Sequence, residues 1–426
     1  MNEDDAVSLP KGWEIKKLGD VCDIINGGTP DTNVPKFWNG ENLWITPKDM
    51  GRLESIYVDD TFRKITDEGL KNSSAKILPP NSIILSSRAP IGHLAINTKP
   101  ISTNQGCKGL VPKKEVDTLF LYYFLSKSVD LLNSLGTGAT FKELSGSKLG
   151  TVEIPIPPLH EQQRIVSILD EAFAVIEKAK ANAEQNLKNA KELFESYLQA
   201  VFENKGEDWE EKKLIDVCEL KPQKKEARDK LTETDLVTFL PMEDLGILNK
   251  EIKGVKERQL KDVAGSYTYF ANNDVLLAKI TPCFENGKIG IARNLINGVG
   301  FGSSEYIVFR TESSIESEYL YYFLSRNQIR EEGRKYMSGA VGHKRVSKDW
   351  IENSLITFPK SLKTQQTIVQ KLDALSAETK KLETIYRQKI NDLEELKKSI
   401  LQKAFTGALL NSELAEKKPK NSEEMQ

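Results

Sequence analysis

The chain has 426 residues, of which 39% are hydrophobic and 29% charged, and a formal net charge of −2. That length exceeds one ordinary core and favours two globular domains of roughly 150 residues each, with connectors. The charge balance speaks against a free-standing basic nucleic-acid binder, because phosphate neutralisation dominates such affinity; a DNA role would need partners to supply much of the grip.

Cys22, Cys107, Cys218 and Cys283 lie far apart, without CxxC or Cys/His ligand spacing. Neither a disulfide framework nor a zinc site is expected, and a reduced, cytoplasmic setting fits. The acidic start lacks an apolar stretch, so no signal peptide is expected, and no apolar run approaches the length of a membrane helix.

In chain order, a tryptophan-led block at 13–22 opens a module of short apolar strands. Residues 43–45, 82–85 and 109–111 read as strands, with Gly27-Gly28, Pro79-Pro80 and Gly92 as breakers. A short helix is predicted at 117–134, ending in a glycine-rich loop, then a strand at 152–156. Pro157-Pro158 sets an extended entry to a helix that runs without proline or glycine from about 160 to 202. Ile165, Ile168, Ala172, Val175, Ala179, Ala183, Leu187, Ala190, Phe194, Tyr197 and Val201 recur on it at spacings of three and four, a heptad seam.

The same order then returns, with a period of roughly 200 residues, too long for a solenoid. Trp13 to Cys22 returns as Trp209 to Cys218, and Leu121-Tyr122-Tyr123-Phe124-Leu125-Ser126 as Leu320-Tyr321-Tyr322-Phe323-Leu324-Ser325. Gln162-Gln163 returns as Gln365-Gln366, and Ser196 with Leu198-Gln199 as Ser399 with Leu401-Gln402. The stretches 27–110 and 222–308 share little beyond Asn81 and Asn273, each two residues before an apolar strand. A shared frame with divergent inserts suggests one task performed on two targets. The second long helix carries Ile368, Leu372, Leu375, Thr379, Leu382, Tyr386, Lys389, Leu393, Leu396 and Ile400 on its seam. Each helix would reach roughly 60 Å. The expected pairing is antiparallel and within the chain, about a pseudo-twofold axis; packing of each helix on its own domain, or pairing between chains, is the alternative. Residues after Leu410 read as a disordered tail.

Several of these strings resemble one family. Pro157-Pro158-Leu159 with Glu161-Gln162-Gln163 and Ile165-Val166 is similar to the entry of the conserved helices of type I restriction–modification specificity subunits. So are Trp13 with Leu18-Gly19-Asp20-Val21, Asn104 to Leu110, and Gly138-Ala139-Thr140-Phe141-Lys142. The second copy departs from the pattern: Ser361 and Thr364 stand for Pro158 and Glu161, and the glycine loop 338–345 is one residue longer. The resemblance covers essentially residues 10–410. It implies an α+β fold of two similar target recognition domains with mixed β-sheets, separated by two long antiparallel helices in an intramolecular coiled coil. Domain one would span 1–158, the helices 159–204 and 362–410, domain two 205–361, and the tail 411–426. Each domain would read half of a bipartite target in double-stranded DNA. The helices would fix the spacing and recruit two modification subunits, which methylate adenine with S-adenosylmethionine; restriction subunits using ATP and magnesium would join them. The specificity chain itself would hold no cofactor or metal and perform no chemistry.

The residues agree by what they lack. There is no GxxxxGK[ST] phosphate loop and no Asn/Asp-Pro-Pro-aromatic methyltransferase string. Pro30-Asp31 has no nuclease companion and reads as a turn, and His93, His160 and His343 show no catalytic pattern. Base reading needs Arg, Lys, Asn, Gln, Ser or Thr on exposed elements. The candidates are Lys48, Arg88, Asn104, Gln105, Lys108, Thr140 and Lys142 in the first copy, and Lys279, Ser303, Ser304, His343, Lys344 and Arg345 in the second. A plain surface charge or turn-capping role is the alternative for each. The Tyr122-Tyr123-Phe124 and Tyr321-Tyr322-Phe323 blocks read as helix core rather than base-stacking platforms. An unrecognised nuclease or methyltransferase, or a scaffold that never reads DNA, are the competing functions.

Overall fold

The computed structural model describes residues 9–409 except Ala89, 139–141 and Val341, so the expected tail lies outside the described residues. The chain forms two compact units, residues 1–182 with 389–426, and residues 183–388. Both boundaries fall inside the long helices rather than at their ends.

In the first unit the strands are β1 (Glu14–Lys17), β2 (Cys22–Asn26), β3 (Trp38–Ile45), β4 (Tyr57–Val58), β5 (Arg63–Ile65), β6 (Ile77–Leu78), β7 (Ile83–Ser86), β8 (Leu94–Asn97), β9 (Ile101–Thr103), β10 (Cys107–Pro112) and β11 (Glu153–Ile156). They build a five-stranded sheet ordered β2-β10-β7-β8-β4, a four-stranded sheet ordered β5-β3-β9-β6, and a β1–β11 pair. The sheets are mixed: β3 with β9 and β4 with β8 are parallel, while β7 and its neighbours are antiparallel. Alternation along β7 explains why Ile83, Ile84 and Leu85 are all apolar. Ile83 and Leu85 pack with Phe120, Leu121 and Leu125, whereas Ile84 packs with Leu43, Ile45 and Ile101 of the other sheet.

The second unit repeats the plan with β12 (Trp209–Lys213), β13 (Cys218–Leu220), β14 (Leu236–Leu240), β15 (Lys256–Gln259), β16 (Thr268–Ala271), β17 (Val275–Ala278), β18 (Ile289–Ile291), β19 (Val299–Gly302), β20 (Tyr306–Thr311), β21 (Met337–Ser338), β22 (Arg345–Val346) and β23 (Leu355–Pro359). Sheets β13-β20-β17-β18 and β15-β14-β19-β16 face each other across Leu276, Ala278, Val308, Leu240 and Phe270. Asn81 and Asn273, at φ of 64° and 70°, make the same left-handed turn before β7 and β17, a conformation asparagine tolerates.

The helix expected at 117–134 is two, Thr118–Lys127 and Val129–Leu135. Ser128 breaks it by turning its hydroxyl back onto the Phe124 carbonyl at 2.8 Å. The tyrosine blocks are helix core: Tyr123, Phe124, Tyr321, Tyr322 and Phe323 are buried.

The long helices span Leu159–Glu203 and Leu362–Ala404. In the first unit they run antiparallel: Lys180 pairs with Glu394 at 2.8 Å and Glu177 with Lys397 at 2.7 Å, one helix ascending as the other descends. Phe405, just past the second helix, packs on Phe120 and Phe124. In the second unit Leu198 and Phe202 share a core with Val369 and Leu372.

The seam differs in detail from the heptad reading. Ile165 and Leu372 are fully buried, and Ile168, Ala172, Leu187, Phe194, Ile368, Leu375 and Leu393 are half-buried. Val175 is 69% exposed, Leu396 48% and Leu382 37%, while Leu169, Phe173 and Ile176 are buried instead. Leu169, Phe173 and Ile176 join the core of the first unit, where Tyr123 meets Phe173, so that core as well as the other helix decides which stripe is covered. Among the described residues, no helix is long and apolar enough to cross a membrane.

Candidate nucleic-acid interface

Strand register gathers most of the candidate residues at one end of each unit. In the first, β3 and β9 run parallel and finish together, Ile45 beside Thr103. Lys48 follows on a short helix that Thr46 caps by accepting from Asp49 N; Asn104 and Gln105 follow on the next turn. Asn104 Oδ1 accepts from Gly106 N at 2.9 Å, so this side chain shapes its own turn. Gln105 is exposed and accepts from the Thr29 hydroxyl. That contact needs Gly27 and Gly28, where a Cβ would strike the Asn104 carbonyl and the Ala75 amide.

Arg88 and Glu143 close the same end. They form a backbone bridge, and Arg88 Nη2 lies 3.0 Å from a Glu143 carboxylate oxygen. Lys108, on β10, is buried rather than exposed. Burial pushes its ammonium below the usual lysine range, with Glu143 opposing the shift. Lys142 is exposed beside this pair, and Thr140 lies outside the described residues.

In the second unit Glu305 is the hub. It accepts two hydrogen bonds from Arg345, Nε at 2.8 Å and Nη2 at 2.7 Å, and stands 4.0 Å from Lys279 Nζ. The Arg345 fork holds the Glu305 carboxyl below the usual carboxylate range. Burial pushes Lys279 down, partly offset by Glu305; its ammonium also donates to the Ser304 carbonyl at 2.9 Å. Ser303 Oγ accepts from Glu305 N at 3.2 Å, shaping the turn that presents the exposed Ser304. His343 and Lys344 are exposed on the adjoining loop, which the Lys344 carbonyl ties down by accepting from Thr281 N at 2.9 Å.

The two ends share one backbone frame. Ser87 N donates to the Gly106 carbonyl and receives Leu144 N on its own carbonyl; Lys279 N donates to Glu305 and receives Val346 N. Arg88 bridges Glu143 just as Ile280 bridges Arg345. Ser87 thus corresponds to Lys279, Arg88 to Ile280, Gly106 to Glu305 and Glu143 to Arg345. The frame is repeated while the side chains change, and at one position the charge is reversed. The search for donors missed Glu143, Glu305 and Thr29. Glu143 and Glu305 were signalled by adjacency to Lys142 and Ser304, whereas Thr29 meets Gln105 only through the fold. Among the described residues, no group of three or more His, Cys, Asp or Glu could hold a metal ion.

Comparison with known proteins gives the same outline. A family model described as type I restriction modification DNA specificity domain matches twice, over residues 10–187 and 206–395. The MjaIX type I restriction enzyme specificity subunit of Methanocaldococcus jannaschii is 29% identical over 437 residues, covering 97% of each chain. The EcoR124I/EcoR124II specificity subunit of Escherichia coli is 32% identical over 207 residues, 47% of this chain and 50% of that one. A chain from a solved type I restriction–modification system superposes with a TM-score of 0.73 at 19% identity, covering 94% of this chain and 100% of that one. The HsdS subunit from Thermoanaerobacter tengcongensis superposes at 0.59 with 19% identity, covering 96% and 100%. These two likenesses concern the fold.

Proposed function

This chain belongs to the type I restriction–modification DNA specificity family, and from that premise we propose that each of its units reads one half of a bipartite DNA target. It is a specificity chain and not itself an enzyme, in keeping with the naming of its relatives as specificity subunits. The observation that carries the reading is the repeated frame with changed side chains. Ser87, Gly106 and Glu143 in one unit occupy the hydrogen-bonding positions of Lys279, Glu305 and Arg345 in the other. A fixed backbone presenting different donors and acceptors is what reading two different half-sites requires.

The partners follow from the family. Two modification subunits would supply adenine methylation from S-adenosylmethionine, and restriction subunits the ATP- and magnesium-dependent steps. The long helices would recruit the first and set the spacing of the half-sites. The net charge of −2 fits an arrangement in which these partners carry much of the phosphate contact. A cytoplasmic location accompanies this role.

The test is to express the full chain with its modification partner and map methylated adenines across the host genome. The expected result is one motif in two defined parts with an unspecified spacer of constant length. Methylation without sequence preference, or at a single undivided motif, would reject the reading.

A further inference from the structure

Phe62 is 93% exposed, more than any other large hydrophobic side chain among the described residues. The backbone that carries it is nonetheless held on both sides. Thr61 Oγ1 accepts from Trp44 N at 3.1 Å and donates to the Arg63 carbonyl at 2.7 Å, bracketing Phe62. The Arg63 guanidinium lies 3.7 Å from the centre of the Trp38 ring and 5.3 Å from that of Trp44. Lys64 Nζ reaches Asp60 at 3.1 Å, across the same turn. A phenyl ring left in water forgoes its burial. Mounted on a braced turn, it would lose little freedom on meeting a surface, which is the condition for a preorganised contact.

Its place in the sheet identifies that surface. The β3–β5 register pairs Leu43 with Lys64 and ends with Trp44 beside Arg63, so Phe62 leaves the sheet one residue short of where β3 ends at Ile45. Ile45 in turn pairs with Thr103. Phe62 therefore stands at the end of the sheet from which Lys48, Asn104 and Gln105 emerge. The flanking charges are of both signs, with Asp60 paired to Lys64 and Arg63 stacked on Trp38, and the uncharged ring itself offers nothing to a phosphate. The ring is thus placed for bases and not for the sugar–phosphate backbone.

We propose that Phe62 is a base-contacting, specificity-determining residue of the first unit, meeting the apolar surface of a base in its half-site. The proposal rests on the DNA-reading function given above. Aromatic and methyl-directed contacts of this kind are available in either groove. They add affinity without releasing counterions.

The full chain carrying Phe62→Ala, assembled with its modification subunit, is compared with wild type on the duplex identified by methylation mapping and on a scrambled duplex. The expected result is about a tenfold loss of affinity for the mapped duplex. Binding to the scrambled duplex, the salt dependence and the unfolding curve should be unchanged, and Phe62→Trp should recover part of the loss. Unchanged affinity for the mapped duplex overturns the proposal. So does a loss traced to failed assembly with the modification subunit, which would make Phe62 a protein contact. Wild-type complex that cannot tell the two duplexes apart would instead reject the function on which the proposal rests.

Discussion

Gln162 and Gln365 perform the same task in the two units, each anchoring the start of a long helix to the loop ahead of the tyrosine helix. Gln162 Oε1 accepts from Asp117 N at 2.8 Å while its Nε2 donates to the Glu115 and Pro157 carbonyls. Gln365 Oε1 accepts from Glu316 N at 2.9 Å, and its Nε2 donates to Ser314 and Pro359. Both side chains are fully buried.

Gln162→Leu, or Gln365→Leu, leaves one buried donor and two buried acceptors without these partners. At about 1–3 kcal/mol for a buried polar group left unpaired, each substitution should cost about 3 kcal/mol after partial relaxation. Denaturant unfolding of the full chain checks this. A loss below about 1 kcal/mol would show that water or a shifted loop replaces the amide.

Glu305→Gln should strengthen salt-sensitive, sequence-independent DNA binding. The substitution removes the carboxylate shared by Arg345 and Lys279. The pair is partly exposed, so folding should change by less than about 1 kcal/mol. The plot of log affinity against log salt should steepen by about one to two phosphate contacts. Fluorescence anisotropy of the assembled complex at several salt concentrations measures this, and an unchanged slope would place Arg345 and Lys279 away from phosphate.

Lys142→Ala and Lys344→Ala act in the opposite sense. Both side chains are exposed at the ends built by the shared frame. Each change should lower affinity and flatten the salt slope by about 0.9, the value of one phosphate contact. Equal binding of mutant and wild-type complexes at moderate salt would exclude that loop from the interface.

Much of this was legible in advance, and for definite reasons. The duplication and the long helices follow from block repeats and the absence of breakers, while the mixed sheets were expected from the family resemblance. The bracing of Arg88 by Glu143 and of Arg345 by Glu305 was not legible, because those partners lie far apart in sequence and meet only through strand register. Lys108 looked like a surface cation in sequence, yet it sits on a sheet strand and is buried. The burial of Leu169, Phe173 and Ile176 beside the half-buried Ile168 and Ala172 was not legible, because it comes from contact with the first unit's core.

Arg310 ties the second unit together through acids that no motif marks. Its guanidinium grips Asp274 with Nε and Nη2, both at 2.9 Å, and Glu226 with Nη1 at 2.7 and 2.8 Å. Burial raises the Asp274 carboxyl above its usual range, with the hydrogen bond from Arg310 as the main opposing effect. Arg310→Met should therefore cost about 3 kcal/mol, because it strands a buried charge. It should also raise the Asp274 carboxyl further. An acid whose folded value is raised keeps its stability below its unfolded value and loses it as pH climbs through the folded one. The mutant's deficit should accordingly be larger at pH 8 than at pH 5. Unfolding curves at both values decide it, and an equal deficit would mean Asp274 is not the group left charged.

The spacing role proposed for the helices predicts the outcome of a paired deletion. Lys180 opposite Glu394, and Glu177 opposite Lys397, define an antiparallel register. Removing residues 182–188 together with 386–392 takes one heptad from each helix while preserving the order of the seam. At 1.5 Å per residue this shortens each by about 10 Å, close to three base-pair steps of about 3.4 Å. Methylation mapping of the deletion complex should return the same two half-sites with about three fewer unspecified base pairs between them. The half-sites should survive because the deletion touches neither sheet end. An unchanged spacer would show that the helices only join the two units, and that the modification subunits or the DNA itself set the distance.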